Sequence, residues 1–357
     1  MKIKPQIPLP FSAIEWNESL AAWTVWRYED VNAILKDFRF SANVTSTANS
    51  SEGIPPTDFN HTAYRPHFSR TIQKKSAWVK LQMKKSAEKF CKPPKVGEEF
   101  DFQQKIVLPC CCDIVKTLMG IEAEKEEMDC LLQYANAVFL MNENNANKPE
   151  AENATLGLSQ FFLQLMEKRK RFPKDDLVSL LAQNGQANSL FLSPIIQMFV
   201  GFTTSLPLLL GNVFLTLLAQ PILTQKFVGQ SNQWLNEILR YAGPAQFVYR
   251  LATVDTKVGE HTFKRGDRLA LLLSHANRDS SIFKASNSLN LKENKGIHLS
   301  LGIGAHACLG SPLIRDASMI LPHTFLKDLG NSEPSIVEVS FGGSRAICGV
   351  TALKVKI

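Results

Sequence analysis

Cys308 stands in the run His298-Leu299-Ser300-Leu301-Gly302-Ile303-Gly304-Ala305-His306-Ala307-Cys308-Leu309-Gly310. Two glycines at spacing two, then a histidine, a cysteine and a further glycine describe a tight loop that presents one sulfur. Glycine reaches backbone conformations that a Cβ forbids and lets a flat ligand come close. A lone cysteine is a poor zinc site, because structural zinc takes four ligands. It suits haem iron, where one axial thiolate pushes electron density onto the metal and favours O–O cleavage. The plainer alternative is a structural cysteine buried in a glycine-rich turn.

Other residues of chemical interest lie upstream in a fixed order. Glu237 and Arg240 are three apart on a predicted helix, so they share a face and can pair. Such pairs are common in helices, and this one gains meaning only from its place in the chain. Arg250 follows in a short β segment, then Ala276-Asn277-Arg278-Asp279, then the cysteine loop. Much earlier, His61-Thr62-Ala63-Tyr64-Arg65 sets a histidine and an arginine one helical turn apart. Charged donors of that kind suit a carboxylate. Each of these residues alone also fits a surface or turn position with no ligand.

The cysteine segment resembles the F-x-x-G-x-x-x-C-x-G loop of the cytochrome P450 family, with Leu301 at the phenylalanine position and Gly302 at the first glycine. The order of the E-x-x-R helix, the arginine-bearing β segment and the cysteine loop is the C-terminal order of that family. The resemblance implies a mainly α fold with small β sheets and one b-type haem ligated by Cys308. It implies that His61, Arg65, Arg250 and His306 contact the haem propionates, and that Glu237 and Arg240 form a structural ion pair. It extends from about Trp23 to the closing Val350-Thr351-Ala352-Leu353-Lys354-Val355, with a short N-terminus. The segment after Asn277-Arg278-Asp279 departs from the pattern. Ser280 replaces the usual proline, and Ser286-Asn287-Ser288-Leu289 stands where the family has Pro-x-Arg-Phe.

The oxygen-activation motif departs further. Many family monooxygenases carry A-G-x-(D/E)-T-T on the central helix, an acid beside an alcohol that supply protons for O–O cleavage. Here the stretch is Val200-Gly201-Phe202-Thr203-Thr204-Ser205. Setting Gly201 on the family glycine puts Thr203 at the acid and Thr204 and Ser205 at the alcohols. Matching Gly211-Asn212 instead puts Thr204 at the acid. In either alignment the carboxylate is missing. Pro207 lacks the N–H that a helix would direct at Thr203, so the helix is expected to kink there. Phe202 is expected to point into the distal pocket, and the 42–60 loop, Phe247 and Val248 to touch substrate.

Helices are predicted over 61–92, 104–119, 123–142, 153–170 and 221–242, with one after Cys308 and one capped by Asp175-Asp176. Residues 142–153 are Asn-rich and read as a loop. Short strands are predicted over 247–252, 257–272 and 337–357, and Trp23 to Val31 runs from strand into helix. No linker or repeat is evident, so the 357 residues read as a single domain.

Seven cysteines, including consecutive Cys110, Cys111 and Cys112, make no disulfide pattern and indicate a reducing compartment. Residues 1–15 lack the apolar segment of a signal peptide, and a cytoplasmic location is expected. No charge occurs between Asp176 and Lys226. The polar residues within that stretch and the lack of end anchors favour a buried helix over a membrane span. The net charge of +7 comes from 40 basic and 33 acidic residues. Lys74, Lys75, Lys80, Lys84, Lys85, Lys89, Lys92 and Lys95 interleave with apolar residues and suggest a basic amphipathic helix. That helix is a candidate dock for an acidic ferredoxin- or flavodoxin-like electron donor. No nucleic-acid motif accompanies it.

The resulting expectation is oxidation of a small apolar molecule, free or carrier-bound, by a monooxygenase in a biosynthetic pathway. The missing carboxylate keeps two others open: a haem-thiolate enzyme of atypical chemistry (peroxide-driven, coupling, dehydration or rearrangement), or a haem-binding scaffold without turnover.

Overall fold

The computed structural model describes residues 5–42, 61–140, 148–183, 188–330, 332 and 334–357. In chain order the first elements are β1 (Ile14–Asn17), β2 (Ala22–Val25), α1 (Tyr28–Lys36), β3 (Phe40–Ser41), α2 (His61–Lys74), α3 (Ser76–Phe90) and β4 (Glu99–Asp101). A helical run follows: α4 (Leu108–Met119), α5 (Lys125–Leu140), α6 (Lys148–Arg171), α7 (Leu177–Ala182), α8 (Asn188–Val200), α9 (Leu206–Leu218), α10 (Pro221–Gly229) and α11 (Ser231–Ala242). The chain then forms β5 (Val248–Ala252), β6 (Thr256–Val258), β7 (His261–Phe263), β8 (Arg268–Leu271), α12 (Leu273–Ala276), α13 (Ser311–Leu329), β9 (Ser335–Gly343) and β10 (Cys348–Lys356). The fold is mainly α with small sheets, as the sequence predicts.

The chain divides into two compact units, residues 1–61, 229–311 and 345–348 in one, and 62–228, 312–344 and 349–357 in the other. The first unit is built on a sheet of order β1-β2-β8-β5-β3. β2 runs parallel to β8, pairing Trp23 with Leu269, while β5 is antiparallel to β8 and pairs Arg250 with Leu269. Val25, Ile34, Leu35, Phe40, Phe263, Leu269 and Leu271 fill one core there, and Leu299 joins it. The cysteine loop is thus anchored at its start by an apolar side chain of the core. Phe247 packs with Leu20, Ala22 and Leu272, so it belongs to the interior rather than to the substrate surface expected of it.

The second unit holds α2 to α10 and the sheet β4-β10-β9. Phe102 lies 4.5 Å from the Phe214 ring and 4.6 Å from the Phe325 ring, at the centre of its packing. The segment Ser189–Leu218 is long and apolar enough to cross a membrane, but 72% of an apolar 18-residue window within it is buried, as a core helix would be. Asp176 caps α7 by accepting a hydrogen bond from the Ser179 N–H at 2.6 Å, as expected.

Several boundaries differ from the sequence reading. The region 61–92 is two helices broken at Lys75, and 221–242 is two helices broken at Gln230. Residues 148–153, expected to be loop, open α6. Pro149 is tolerated in the first turn, Asn153 is a weak helix former, and the packed face Ala151, Ala154 and Leu158 outweighs that local preference. The continuous basic helix is corrected likewise. Lys74 ends α2, Lys92 and Lys95 lie beyond α3, and Val79, Met83 and Ala87 form the buried face of α3. Lys75, Lys80 and Lys89 pair with Asp175, Asp316 and Asp113, which offsets their charge.

Candidate functional site

The cysteine loop is closed by its own backbone. Cys308 N donates to Leu301 O at 2.7 Å, Ala307 N to Gly304 O at 3.2 Å, and Gly302 N to Leu299 O at 2.8 Å. Gly302 and Gly304 have φ of +65° and +73°, the left-handed region that favours glycine. A Cβ on Gly304 would lie 2.6 Å from Leu35 O, so the turn can approach α1 only with glycine there. His306 ends the single 3-10 turn Gly304–His306 and is half-buried.

Cys91, Cys110 and Cys111 are buried, whereas Cys308, like Cys112, Cys130 and Cys348, is half-buried; Cys308 differs from these in sitting on a pinned turn. Hydrogen bonding to Cys91, then burial, pushes the Cys110 thiol up, and burial pushes Cys111 up. Those thiols stay protonated and are poor metal ligands. No group of three or more potential metal-ligating side chains exists among the described residues. One sulfur on a rigid turn with glycine clearance is a donor set that fits an axial ligand of haem and no four-ligand metal.

Behind the loop lies a buried polar network. Arg240 Nε and Nη2 donate to the two Glu237 carboxylate oxygens at 2.8 and 2.9 Å, and both side chains are almost fully enclosed. Arg240 Nη1 reaches the Asn277 and Ser286 carbonyls, each at 2.8 Å, and Nη2 reaches Ser288 O at 2.7 Å. Asn277 relays the order to the loop. Its Oδ1 accepts from Leu299 N at 2.7 Å and its Nδ2 donates to Ser300 Oγ at 2.8 Å. Ser300 Oγ in turn donates to Leu239 O. Glu237 and Arg240 therefore position the backbone from which the cysteine turn departs.

Sequence reasoning missed Asn294. Ser288 stands at the expected arginine, and Asn294 Nδ2 donates to Glu237 Oε1 at 2.7 Å, joined by Asn290 N at 2.8 Å. These neutral donors complete the carboxylate's hydrogen bonds without a second arginine.

The remaining predicted residues are placed as follows. Arg250 is buried on β5 and uses Nη1 to donate to Tyr249 O at 2.7 Å. Arg65 is half-buried in the second turn of α2. The His61 side chain and the 43–60 part of the expected substrate loop lie outside the described residues. Val248 is half-buried beside the core of the first unit, and Phe202 is buried within the second.

The expected kink at Pro207 takes the form of a π-turn, Gly201–Ser205, between α8 and α9. Leu206 N bonds Gly201 O, five residues back, and the widened turn makes room for a residue with no N–H. Inside it every hydroxyl turns onto the backbone. Thr203 Oγ1 donates to Phe199 O at 2.9 Å, Thr204 Oγ1 to Val200 O at 2.6 Å, and Ser205 Oγ to Gly201 O at 3.2 Å. A hydroxyl proton engaged this way is not offered to a ligand. Gly201 has open space around it, with nothing nearer an added Cβ than Ser205 Oγ at 3.9 Å.

Gln103 was also missed. Its Nε2 donates to Pro207 O at 3.2 Å and to Val350 O, and an added Cβ on Gly211 would overlap that nitrogen. Asn212 Oδ1 accepts from Val350 N at 2.9 Å. Two amide side chains thus tie α9, just after the π-turn, to β10.

Comparison with known proteins agrees with this geometry. The polyketide biosynthesis cytochrome P450 PksS of Bacillus subtilis is 26% identical over 360 residues, covering 91% of this chain and 86% of PksS. The biotin biosynthesis cytochrome P450 of the same organism is 26% identical, covering 85% and 82%. The chain belongs to the cytochrome P450 family. No family model matches this P450. Its fold is that of the P450 BioI solved in complex with an acyl carrier protein, with a TM-score of 0.81 at 22% identity over 97% of this chain and 94% of BioI. Family membership makes this P450 an oxidoreductase of the monooxygenase type and implies a haem cofactor.

Proposed function

We propose that this P450 oxidises a small apolar molecule in a biosynthetic pathway, using a b-type haem held by Cys308. The pinned turn that presents one half-buried sulfur carries the reading. Bound haem supplies the oxidising chemistry. The chain's own residues would hold it: Cys308 would ligate the iron, and His61, Arg65, Arg250 and His306 would give charge-assisted donors to the propionates. The Glu237–Arg240–Asn277 network holds the loop so that the sulfur is pre-positioned. The 357 residues act as one functional domain in the cytoplasm. Electrons come from a ferredoxin- or flavodoxin-like donor, and exposed Lys84 and Lys85 on α3 are its dock. The BioI structure contains an acyl carrier protein, which supports carrier-bound substrates as one option here beside free ones.

The test is dioxygen uptake by the reduced holoprotein, measured with product formation and repeated with Cys308→Ser. Product-coupled uptake that the substitution abolishes supports the enzyme. A protein that binds haem and forms product with neither dioxygen nor peroxide is the scaffold instead.

A second reading rests on the π-turn. With no carboxylate in 201–205 and three hydroxyls donating to carbonyls, this chain has no evident proton donor there. Hydrogen peroxide as co-substrate brings its own protons and electrons. Product formation with peroxide that exceeds formation with dioxygen and a donor distinguishes it.

A further inference from the structure

The second unit contains a polar cleft of about 490 Å³ that the oxidation chemistry does not use. His67, Arg70, Thr71, Lys74, Lys75 and Leu180 line it. His67, Arg70, Thr71 and Lys74 follow the i, i+3, i+4, i+7 spacing of one helix face on α2. That face spans about 10 Å, at 1.5 Å per residue. Lys75 turns in from the break between α2 and α3, fixed by its ion pair with Asp175 and lying 5.3 Å from the Trp78 ring centre. His67 is set edge-on to Phe191, with ring centres 6.3 Å apart. Two of the lining groups are therefore oriented in advance.

The charge of the cleft is one-sided among the described residues. None of its described lining residues is a carboxylate, and Asp175 engages Lys75 from beside it. Arg70 and Lys74 make no ion pair or hydrogen bond among the described residues, and both are exposed. Arg70 and Lys74 one turn apart, Lys75 held nearby by Asp175, a hydroxyl and an imidazole form a cluster of donors. A planar guanidinium beside an ammonium is suited to phosphate oxygens, which accept from both. The length of the face exceeds what one phosphate covers. The volume lies in the range of small-molecule sites.

We propose that this cleft binds a small molecule carrying two or more linked phosphates, with Arg70 and Lys74 as its principal contacts and Thr71, Lys75 and His67 as supporting donors.

Calorimetric titration of the holoprotein with inorganic pyrophosphate tests the assignment. Pyrophosphate should bind at low ionic strength about 10-fold more tightly than inorganic phosphate, and the affinity should fall as salt is raised. The double substitution Arg70→Ala/Lys74→Ala should weaken it at least about 10-fold. Both side chains are exposed, so the variant should keep its circular dichroism and haem spectra. Lys84→Ala/Lys85→Ala, which removes two cations from α3 outside the cleft, should leave the affinity unchanged. Equal binding by wild type and the Arg70/Lys74 variant overturns the proposal. So does equal weakening by the α3 pair, which would mark a diffuse charge effect. Citrate that binds more tightly than pyrophosphate overturns the phosphate assignment. Loss of haem binding in wild type would bear on Cys308 and not on this site.

Discussion

Asn294 Nδ2 donates to Glu237 Oε1 at 2.7 Å, 57 residues along the chain, while Ser288 stands at the sequence position of the family arginine. The carboxylate is buried and already doubly bonded to Arg240, so its second oxygen lone pairs need donors. A neutral amide supplies them without burying another charge, which avoids a large desolvation cost.

Asn294→Leu should therefore destabilise the protein by about 1–3 kcal/mol, the usual cost of stranding a buried acceptor. Glu237→Ala should cost more, about 3–5 kcal/mol, because it leaves the Arg240 guanidinium buried with no carboxylate. Thermal unfolding and haem retention should fall in the same order. Equal stability of Asn294→Leu and wild type would show that Asn290 N alone suffices.

Gly211 and Gln103 should be coupled. Gly211→Ala forces its Cβ onto Gln103 Nε2 and to 3.0 Å from Val350 O, for an expected cost of about 1–3 kcal/mol. In a Gln103→Ala background the clash with the amide disappears, so the same change should cost less. A double-mutant cycle on denaturant unfolding should give a coupling of about 1 kcal/mol. Additive effects would mean that the Val350 carbonyl is the real obstacle.

Thr204→Ala should leave the peroxide released per dioxygen consumed within about 2-fold of wild type. The hydroxyl proton is directed at Val200 O at 2.6 Å, not at a ligand. Ser205→Ala should behave alike. A large rise in peroxide with either change would show that the hydroxyl swings away from the backbone during turnover.

His275 makes stability depend on pH. Its Nε2 lies 2.7 Å from Ile7 O, and burial, aided by the nearby Arg278 charge, lowers its pKa below the ordinary 6.5, against the opposing effect of the Ile7 bond. The folded state therefore resists a proton that the unfolded chain accepts. Stability from this group is full above pH 6.5 and is lost as pH falls through the depressed folded value. His275→Gln keeps a donor for Ile7 O and cannot titrate, so its melting temperature should decline less between neutral and mildly acidic pH. Parallel declines would assign the acid sensitivity to other groups.

Lys84→Glu/Lys85→Glu should slow reduction by an acidic ferredoxin, most strongly at low salt. The pair is chosen because Lys80 already lies 3.5 Å from Asp316, and reversing it would also disturb that contact. Unchanged reduction rates would remove α3 as the dock.

Local pattern made the cysteine loop legible: Gly302, Gly304 and Cys308 lie within seven residues, and their backbone bonds close over the same span. Helix identity was legible too, since apolar periodicity reports the buried face directly. The break at Lys75 was not, because no glycine or proline marks it, whereas Gly229, which ends α10 before Gln230, was a stop signal read through. Asn294 and Gln103, and the bonding role of Asn277, escaped for another reason. Each acts through a partner far along the chain, Gln103 on Val350 at a separation of 247, and a single asparagine or glutamine carries no spacing signal. Phe247 was misread because an aromatic near a candidate propionate-binding arginine looks the same in sequence whether it faces a ligand or a core. Pro207 announced a disturbed helix, but whether a kink or a π-turn resulted depended on the backbone around it.

The most direct test of the account is the carbon monoxide difference spectrum of the reduced, purified protein. A strongly red-shifted Soret band, lost in Cys308→Ser, is the predicted result and identifies the Cys308 thiolate as the axial ligand. A haem spectrum without that shift, or a protein that binds no haem, would contradict it.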